Sequence, residues 1–238
     1  FTLFHFSLCE LSQKLGDIYE GFHKSYKIIY NLTGGFKGVN GFLQSIAQIF
    51  ADESFYLFET AHELMKIPRL PLKLEIKELL AKNINILRRL QLGIHCNLQE
   101  CSDIPDIMLL KVDDQVSLSA WGETFWRFYK EELYSETLLD SPCEEIVFSG
   151  KFISSINSCK LTAYQFYEIN KKIDLLTHFV LSGFKENLSS LDWRPLKGDI
   201  MRPSTHEVNA WSDGDAKRIY CHREQNRIIV DQLGKHLI

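Results

Sequence analysis

The chain has 238 residues, of which 45% are hydrophobic and 24% are charged, as is typical of soluble globular proteins. This length suffices for one large domain or two ordinary ones. The formal net charge of −4 excludes a strongly basic surface that would attract nucleic acid from every side. No apolar run approaches the roughly 20 residues that span a bilayer. We therefore expect a cytoplasmic protein without a membrane partner.

The six cysteines are scattered along the chain and form no Cys-x-x-Cys pair. The one cluster is Cys96 and Cys101, with His95 beside Cys96. A structural metal site needs about four ligands, and the sequence offers no second half for such a site. We therefore expect reduced thiols, no metal and no other cofactor.

Apolar residues in the first part of the chain recur at steps of three and four, the spacing of one helix face. They predict helices over residues 7–30, 42–66 and 72–92, so that residues 1–95 would form a small helical bundle. The stretch 32–41 between the first two helices is rich in glycine. It lacks the Gly-Lys-Ser/Thr ending of a phosphate loop, and no clear strand precedes it. A flexible turn is the favoured interpretation.

Residues 144–238 predict a different arrangement, with strands and helices in the order β-α-α-β-β-β. The pattern places a strand at 145–153, helices at 161–181 and 184–191, and strands at 207–211, 217–222 and 227–233. Because no crossover helices separate the last three strands, they predict an antiparallel meander and an α+β fold. The stretch 140–143 is a plausible boundary, which gives a mostly helical regulatory or partner-binding domain at 1–143 and a second domain at 144–238.

Side chains at every second position of a strand share one face. Arg218, Tyr220 and His222 would therefore stand side by side on the middle strand of the meander. Glu207 opens the preceding strand, and Lys197 lies in the loop before it. The cations and proton-transferring groups of this region suit a phosphodiester substrate.

Several short motifs occur here in a fixed order after the two helices. They are Leu196-Lys197-Gly198, Glu207-Val208, Arg218-Ile219-Tyr220, Ile228-Ile229-Val230 and Gly234-Lys235-His236. In this order the segment 144–238 resembles the RelE/ParE superfamily of toxins. The resemblance implies a RelE-like endoribonuclease that cleaves mRNA at the ribosome without a metal, through attack by the 2′-hydroxyl, fused to a helical regulatory domain.

The resemblance also implies roles for individual residues and partners. The implied catalytic residues are Arg218, His222, His236 and Glu207, and the implied RNA-binding residues are Lys197, Lys235 and Tyr220. Arg218 would neutralise the phosphate, either histidine could transfer a proton, and Glu207 would be a base. RNA or the ribosome would be the partner, with an antitoxin or another protein bound through the helical domain. One departure from the family is Asn209, where an arginine is expected.

Two alternatives stand beside this hypothesis. The first is a non-catalytic, ParE-like or RelE-fold module that binds a protein. The second is a ribonuclease of the HEPN type, because Arg89 and His95 have the Arg-x4-6-His spacing of that class. Leu90 stands where that class has a polar residue, which weakens the second alternative.

Overall fold

The computed structural model describes residues 2–58, 63–70, 75–113, 115–198, 201–212 and 214–235. Helices and strands both contribute to its core, which confirms the predicted α+β class. The chain forms two compact units. The N-terminal unit contains Phe1–Leu87 and His95–Lys130, and the C-terminal unit contains Arg88–Ile94 and Glu131–Ile238. Among the described residues, no helix combines the length and the apolar character that crossing a bilayer requires.

The N-terminal unit combines helices with two small sheets. In chain order the elements of this part of the chain are α1 (Thr2–Phe22), β1 (Ile29–Asn31), α2 (Lys37–Phe50), β2 (Glu53–Leu57), β3 (Leu64–Ile67), α3 (Lys77–Lys82), α4 (Ile84–Gln91), β4 (Leu109–Val112), β5 (Gln115–Leu118) and α5 (Ala120–Tyr134). The last residues of α4, from Arg88, and of α5, from Glu131, belong to the C-terminal unit. Strands β1 and β2 are parallel, β3 pairs antiparallel with β2, and β4 and β5 form a hairpin. Helix α2 connects two parallel strands, so β1-α2-β2 is a βαβ unit.

The prediction of a purely helical bundle over residues 1–95 is wrong in its middle part. The predicted helix at 42–66 is helical only as far as Phe50, and β2 and β3 follow. The run Phe55-Tyr56-Leu57 is rich in the aromatic residues that strands favour. Apolar residues this close together fit a helix face and a buried strand equally well, so spacing could not separate the two.

The C-terminal unit is built on one five-stranded sheet. Its elements are β6 (Ile146–Phe148), α6 (Gly150–Ser158), α7 (Ala163–Leu181), β7 (Arg194–Pro195), β8 (His206–Trp211), β9 (Lys217–Glu224) and β10 (Arg227–Lys235). The strand order is β6-β10-β9-β8-β7, with β6 parallel to β10 and the other neighbours antiparallel. The meander β8-β9-β10 lies where three strands were predicted.

Two predicted elements of this unit differ in the structure. The predicted strand at 145–153 ends at Phe148, because the Ser149 hydroxyl accepts a hydrogen bond from Phe152 N–H at 3.0 Å and caps α6. The predicted helix at 184–191 is absent. Phe184 adopts a positive φ of 65°, which a helix does not allow.

One face of the sheet forms the core of the C-terminal unit with α6 and α7. The strands contribute alternate residues to it, among them Val208, Ile219, Cys221 and Val230, and α7 contributes Ile173 and its neighbours. The other face of β9 carries Arg218, Tyr220 and His222, as strand alternation predicted.

A buried arginine holds together distant parts of the C-terminal unit. The Arg88 side chain is fully buried, and its Nε and Nη2 donate to Asp174 Oδ1 at 3.1 and 2.7 Å. Its Nη1 donates to the Asp140 carbonyl, and the Tyr134 hydroxyl donates to Asp174 Oδ2 at 2.5 Å. Burial raises the pKa of Tyr134 well above its usual range, so its hydroxyl stays protonated as a donor. The arrangement satisfies the guanidinium and the carboxylate together.

Replacing Arg88 by Met should destabilise the protein strongly, because the buried Asp174 carboxylate would lose its cation. We expect a loss of about 3–5 kcal/mol in the free energy of unfolding, measured in urea. Adding Asp174→Asn to Arg88→Met should recover part of that loss, since it removes the orphaned charge.

The matched control is Lys82→Ala, which breaks the exposed ion pair between Lys82 and Asp103. It should cost at most about 1 kcal/mol. An Arg88→Met variant no less stable than Lys82→Ala would contradict this account of the buried pair.

Candidate functional site

The polar face of the C-terminal sheet brings Arg218 and Glu207 together. Arg218 Nη1 donates to Asn209 Oδ1 on β8, and Arg218 Nε lies 3.9 Å from Glu207 Oε1. Both side chains are largely covered, at 18% and 14% exposure. Asn209, the departure from the expected arginine, thus acts as an acceptor for Arg218. The positive charge of Arg218 is partly balanced within the face.

Tyr220 is fully buried, and its hydroxyl donates to the Lys235 carbonyl at 2.6 Å. A Cβ at Gly234 would lie 3.0 Å from Tyr220 Cε2, so glycine makes room for the ring. In this position the ring is not accessible for stacking on a base. Its contacts make Tyr220 a packing residue between β9 and the end of β10.

His222 lies between two carboxylates. Its Nδ1 is 2.9 Å from Asp231 Oδ2, and its Nε2 is 3.2 Å from Glu224 Oε1. The Ser204 hydroxyl donates to Asp231 Oδ2 at 2.8 Å, and both residues are buried. The sequence analysis missed Ser204, which lies in irregular backbone before β8. It also missed Asp231, because the pairing of β10 with β9 shifts register between Val230 and Gln232. That bulge breaks the alternation from which side-chain faces are read.

Two of the remaining predicted cations, Lys197 and Lys235, lie within the described residues. Lys197 is exposed in the loop before β8, and Lys235 Nζ is 3.9 Å from Asp215 Oδ1. His236 lies outside the described residues. No group of three or more His, Cys, Asp or Glu side chains within the described ranges is arranged to hold a metal ion.

A second candidate site lies in the N-terminal unit, at the turn between β1 and α2. Leu32 N–H donates to the Phe55 carbonyl at 2.8 Å, which continues the parallel pairing beyond β1. Thr33 donates its hydroxyl to Asn31 Oδ1 at 2.6 Å and accepts from Leu57 N–H at 2.8 Å. These bonds fix the start of the turn against the end of β2.

The N-terminus of α2 has no side-chain cap. Phe36 occupies the N-cap position without a side-chain hydrogen bond, and its own side chain is 84% exposed. The backbone N–H groups at the start of a helix point outward and attract anions. Lys37 is exposed beside them.

Gly35 and Asn40 approach each other closely within this turn. Gly35 adopts a φ of 114°, which favours glycine, and a Cβ there would lie 3.0 Å from Asn40 Oδ1. Asn40 Oδ1 is buried and has no hydrogen-bond partner among the described residues. A buried polar atom without a partner costs free energy.

A flexible turn was expected at 32–41 partly because no strand was recognised before it. That premise is wrong, since β1 precedes the stretch. The signal for the strand was the run Ile28-Ile29-Tyr30, which the sequence analysis had assigned to the end of a helix. The result is a strand, a glycine-bearing turn and a helix in that order. Such an order brings a helix N-terminus to the carboxyl ends of parallel strands, where α/β proteins bind ligands.

Comparison with known families gives one match. Residues 1–70 match a family described as CRISPR-associated protein (Cas_APE2256). No curated protein matches the chain significantly. The matched segment contains α1, β1, α2, β2 and β3, and thus includes the β1–α2 turn.

This match contradicts the predicted identity. The match is to a CRISPR-associated family and covers the N-terminal residues 1–70, whereas the RelE/ParE resemblance was placed at 144–238. The predicted function as a toxin that cleaves mRNA, and the protein-binding toxin fold given as its alternative, are therefore not supported. The roles assigned to Arg218, His222 and Glu207 rested on that resemblance and stay predictions without it.

The HEPN alternative is not supported either, since the family match is to a CRISPR-associated protein and covers residues 1–70, which do not include Arg89 or His95. Arg89 lies on α4, and His95 follows the helix in irregular backbone. The neighbouring Arg88 has a well-defined role, as the buried partner of Asp174.

The two histidines of the C-terminal sheet should affect stability with opposite signs as the pH changes. Burial alone lowers the pKa of His222, but its hydrogen bonds to Asp231 and Glu224 more than offset burial, and the pKa is raised. His206 stacks on Trp193 at 4.5 Å, and burial lowers its pKa. His222 thus favours the charged form and His206 the neutral form.

We expect the stabilising contribution of His222 to be complete below about pH 6.5, the unfolded pKa, and to be lost as the pH rises through its higher folded pKa. The contribution of His206 should be complete above about pH 6.5 and be lost as the pH falls towards its lower folded pKa. The unfolding free energies of His222→Gln and His206→Gln, each compared with the parent across this range, test both. The assignment would be refuted if the loss of unfolding free energy, relative to the parent, changed with pH in the same direction for both variants. It would also be refuted if NMR gave His222 a lower pKa than His206.

Proposed function

We propose that the N-terminal part of this chain is the ligand-binding module of a CRISPR-associated protein and that its ligand is a phosphate-bearing nucleotide. The observation that carries the proposal is the order β1, glycine-bearing turn, α2, with the uncapped helix N-terminus at the carboxyl end of β1. The family match covers the whole of this element. A nucleotide fits because the turn offers separate features for its phosphate and its base.

The phosphate would lie against the first turn of α2. Helix α2 has 14 residues, so its aligned peptide dipoles place partial positive charge at Lys37 and the residues after it. The Lys37 ammonium adds a full charge at the same place. Gly38 leaves the approach open, since a Cβ there would meet only Phe4 Cζ at 4.0 Å.

The base would lie on Phe36. An aromatic side chain that is 84% exposed gives up little of its surface to the protein itself, and its face is free for a flat partner. Stacking of a base on an aromatic ring is worth about 1–3 kcal/mol.

Two variants separate the phosphate from the base. Lys37→Ala should weaken binding of both inorganic phosphate and adenosine 5′-monophosphate about tenfold, because both ligands use the charge. Phe36→Ala should weaken the binding of adenosine 5′-monophosphate about 5- to 150-fold and leave the binding of inorganic phosphate unchanged, because only the nucleotide has a base to stack. Isothermal titration of the full chain measures both affinities.

Control positions lie on α1, where Lys14 is exposed and Phe6 is 46% exposed. Lys14→Ala and Phe6→Ala should leave both affinities within twofold, on the order of the error of such measurements. Equal losses in the control and test variants, or no binding of either probe to the parent protein, would overturn the proposed function.

A further inference from the structure

We propose that strand β6 of the C-terminal unit binds an extended, basic peptide segment of a protein partner. The segment would add a strand to the sheet and insert an apolar side chain into the cleft beside Phe148. The proposal rests on the C-terminal unit alone and is independent of the nucleotide site.

Strand β6 is the edge of the described sheet. Its bonds to β10 run through alternate residues, since Ile228 N–H donates to the Glu145 carbonyl and Ser149 N–H donates to the Val230 carbonyl. In a strand, the residues that alternate with the bonded ones direct their backbone N–H and C=O groups to the opposite side. The backbone of Phe148 therefore faces away from β10, towards the free edge. Such an edge can receive an extended chain.

A cleft of about 380 Å³ adjoins this edge. Phe148, the last residue of β6, lines it together with Ile153 and Ile156 of α6, Phe166 of α7 and Leu138. Ile153 is 38% exposed, so its side chain can contact a ligand in the cleft. The volume lies within the range of ligand pockets and would accept a large apolar side chain. An edge strand beside a cleft that is lined in part by apolar side chains offers both affinity, through the main chain, and selectivity, through the side chain.

The charge around β6 determines the kind of partner. Glu144 and Glu145 directly precede β6, and Asp140 lines the cleft. Lysine and arginine side chains beside the apolar anchor would complement these carboxylates. A second copy of this chain is a poor occupant, because pairing β6 with β6 would bring the same carboxylates against one another.

Selection from a displayed library of random twelve-residue peptides on the full chain tests the proposal. The enriched peptides should contain an apolar residue flanked by lysine or arginine, and they should bind Ile153→Lys at least tenfold more weakly than the parent protein. The substitution puts a cation into the cleft and blocks it. Ser154→Lys is the matched control, with the same added charge at the next, exposed position of α6, and it should change the affinity less than twofold.

Amide hydrogen exchange tests strand addition directly. A selected peptide should slow exchange of the Phe148 N–H at least tenfold, since that group faces the free edge. The proposal is overturned if no peptide is enriched, if the enriched peptides are acidic, or if Ile153→Lys and Ser154→Lys weaken them equally. It is also overturned if two copies of the chain pair through β6. In that case sedimentation would show a dimer for the parent protein and a monomer for Ile153→Lys.

Discussion

The C-terminal unit depends on the burial of one positive charge. Arg88 has no exposed surface, and its guanidinium must therefore find every hydrogen-bond acceptor within the protein. The acceptors come from α7, through Asp174, and from the segment after α5, through the Asp140 carbonyl. Since a buried charge without these partners would cost several kcal/mol, the segment Arg88–Ile94 is held to the C-terminal unit although α4 begins in the other one.

On the polar face of the C-terminal sheet, partly buried charged groups are likewise paired with acceptors within the protein. Arg218 is shared by Asn209 and Glu207, and His222 is shared by Asp231 and Glu224. Arg218 and His222, which sequence reasoning treated as available for a substrate, are thus each bound to neighbours on the same face. A row of cations and imidazoles on a strand is therefore weak evidence for a binding site, unless the acceptors across from it are known.

The sequence predicted the parts of the fold in which neighbouring residues decide the structure. The meander was predictable because short β-branched runs around Lys217 alternate with turn residues such as Glu224 and Gln225. The strands β1 and β2 were not, because Ile29 and Phe55 fit helical spacing as well, and only parallel pairing with each other decides between the two. The partners of Arg88 and His222 were also out of reach, since a contact 86 residues away and a β-bulge leave no local pattern.

The net charge of −4 describes neither candidate surface. At the start of α2 the peptide dipoles and Lys37 favour an anion, whereas around β6 the carboxylates of Asp140, Glu144 and Glu145 favour a cation. Both preferences act over a few ångströms, because salt screens charges separated by more than roughly 8–10 Å in water. Local geometry, and not overall charge, therefore decides which ligand each surface attracts.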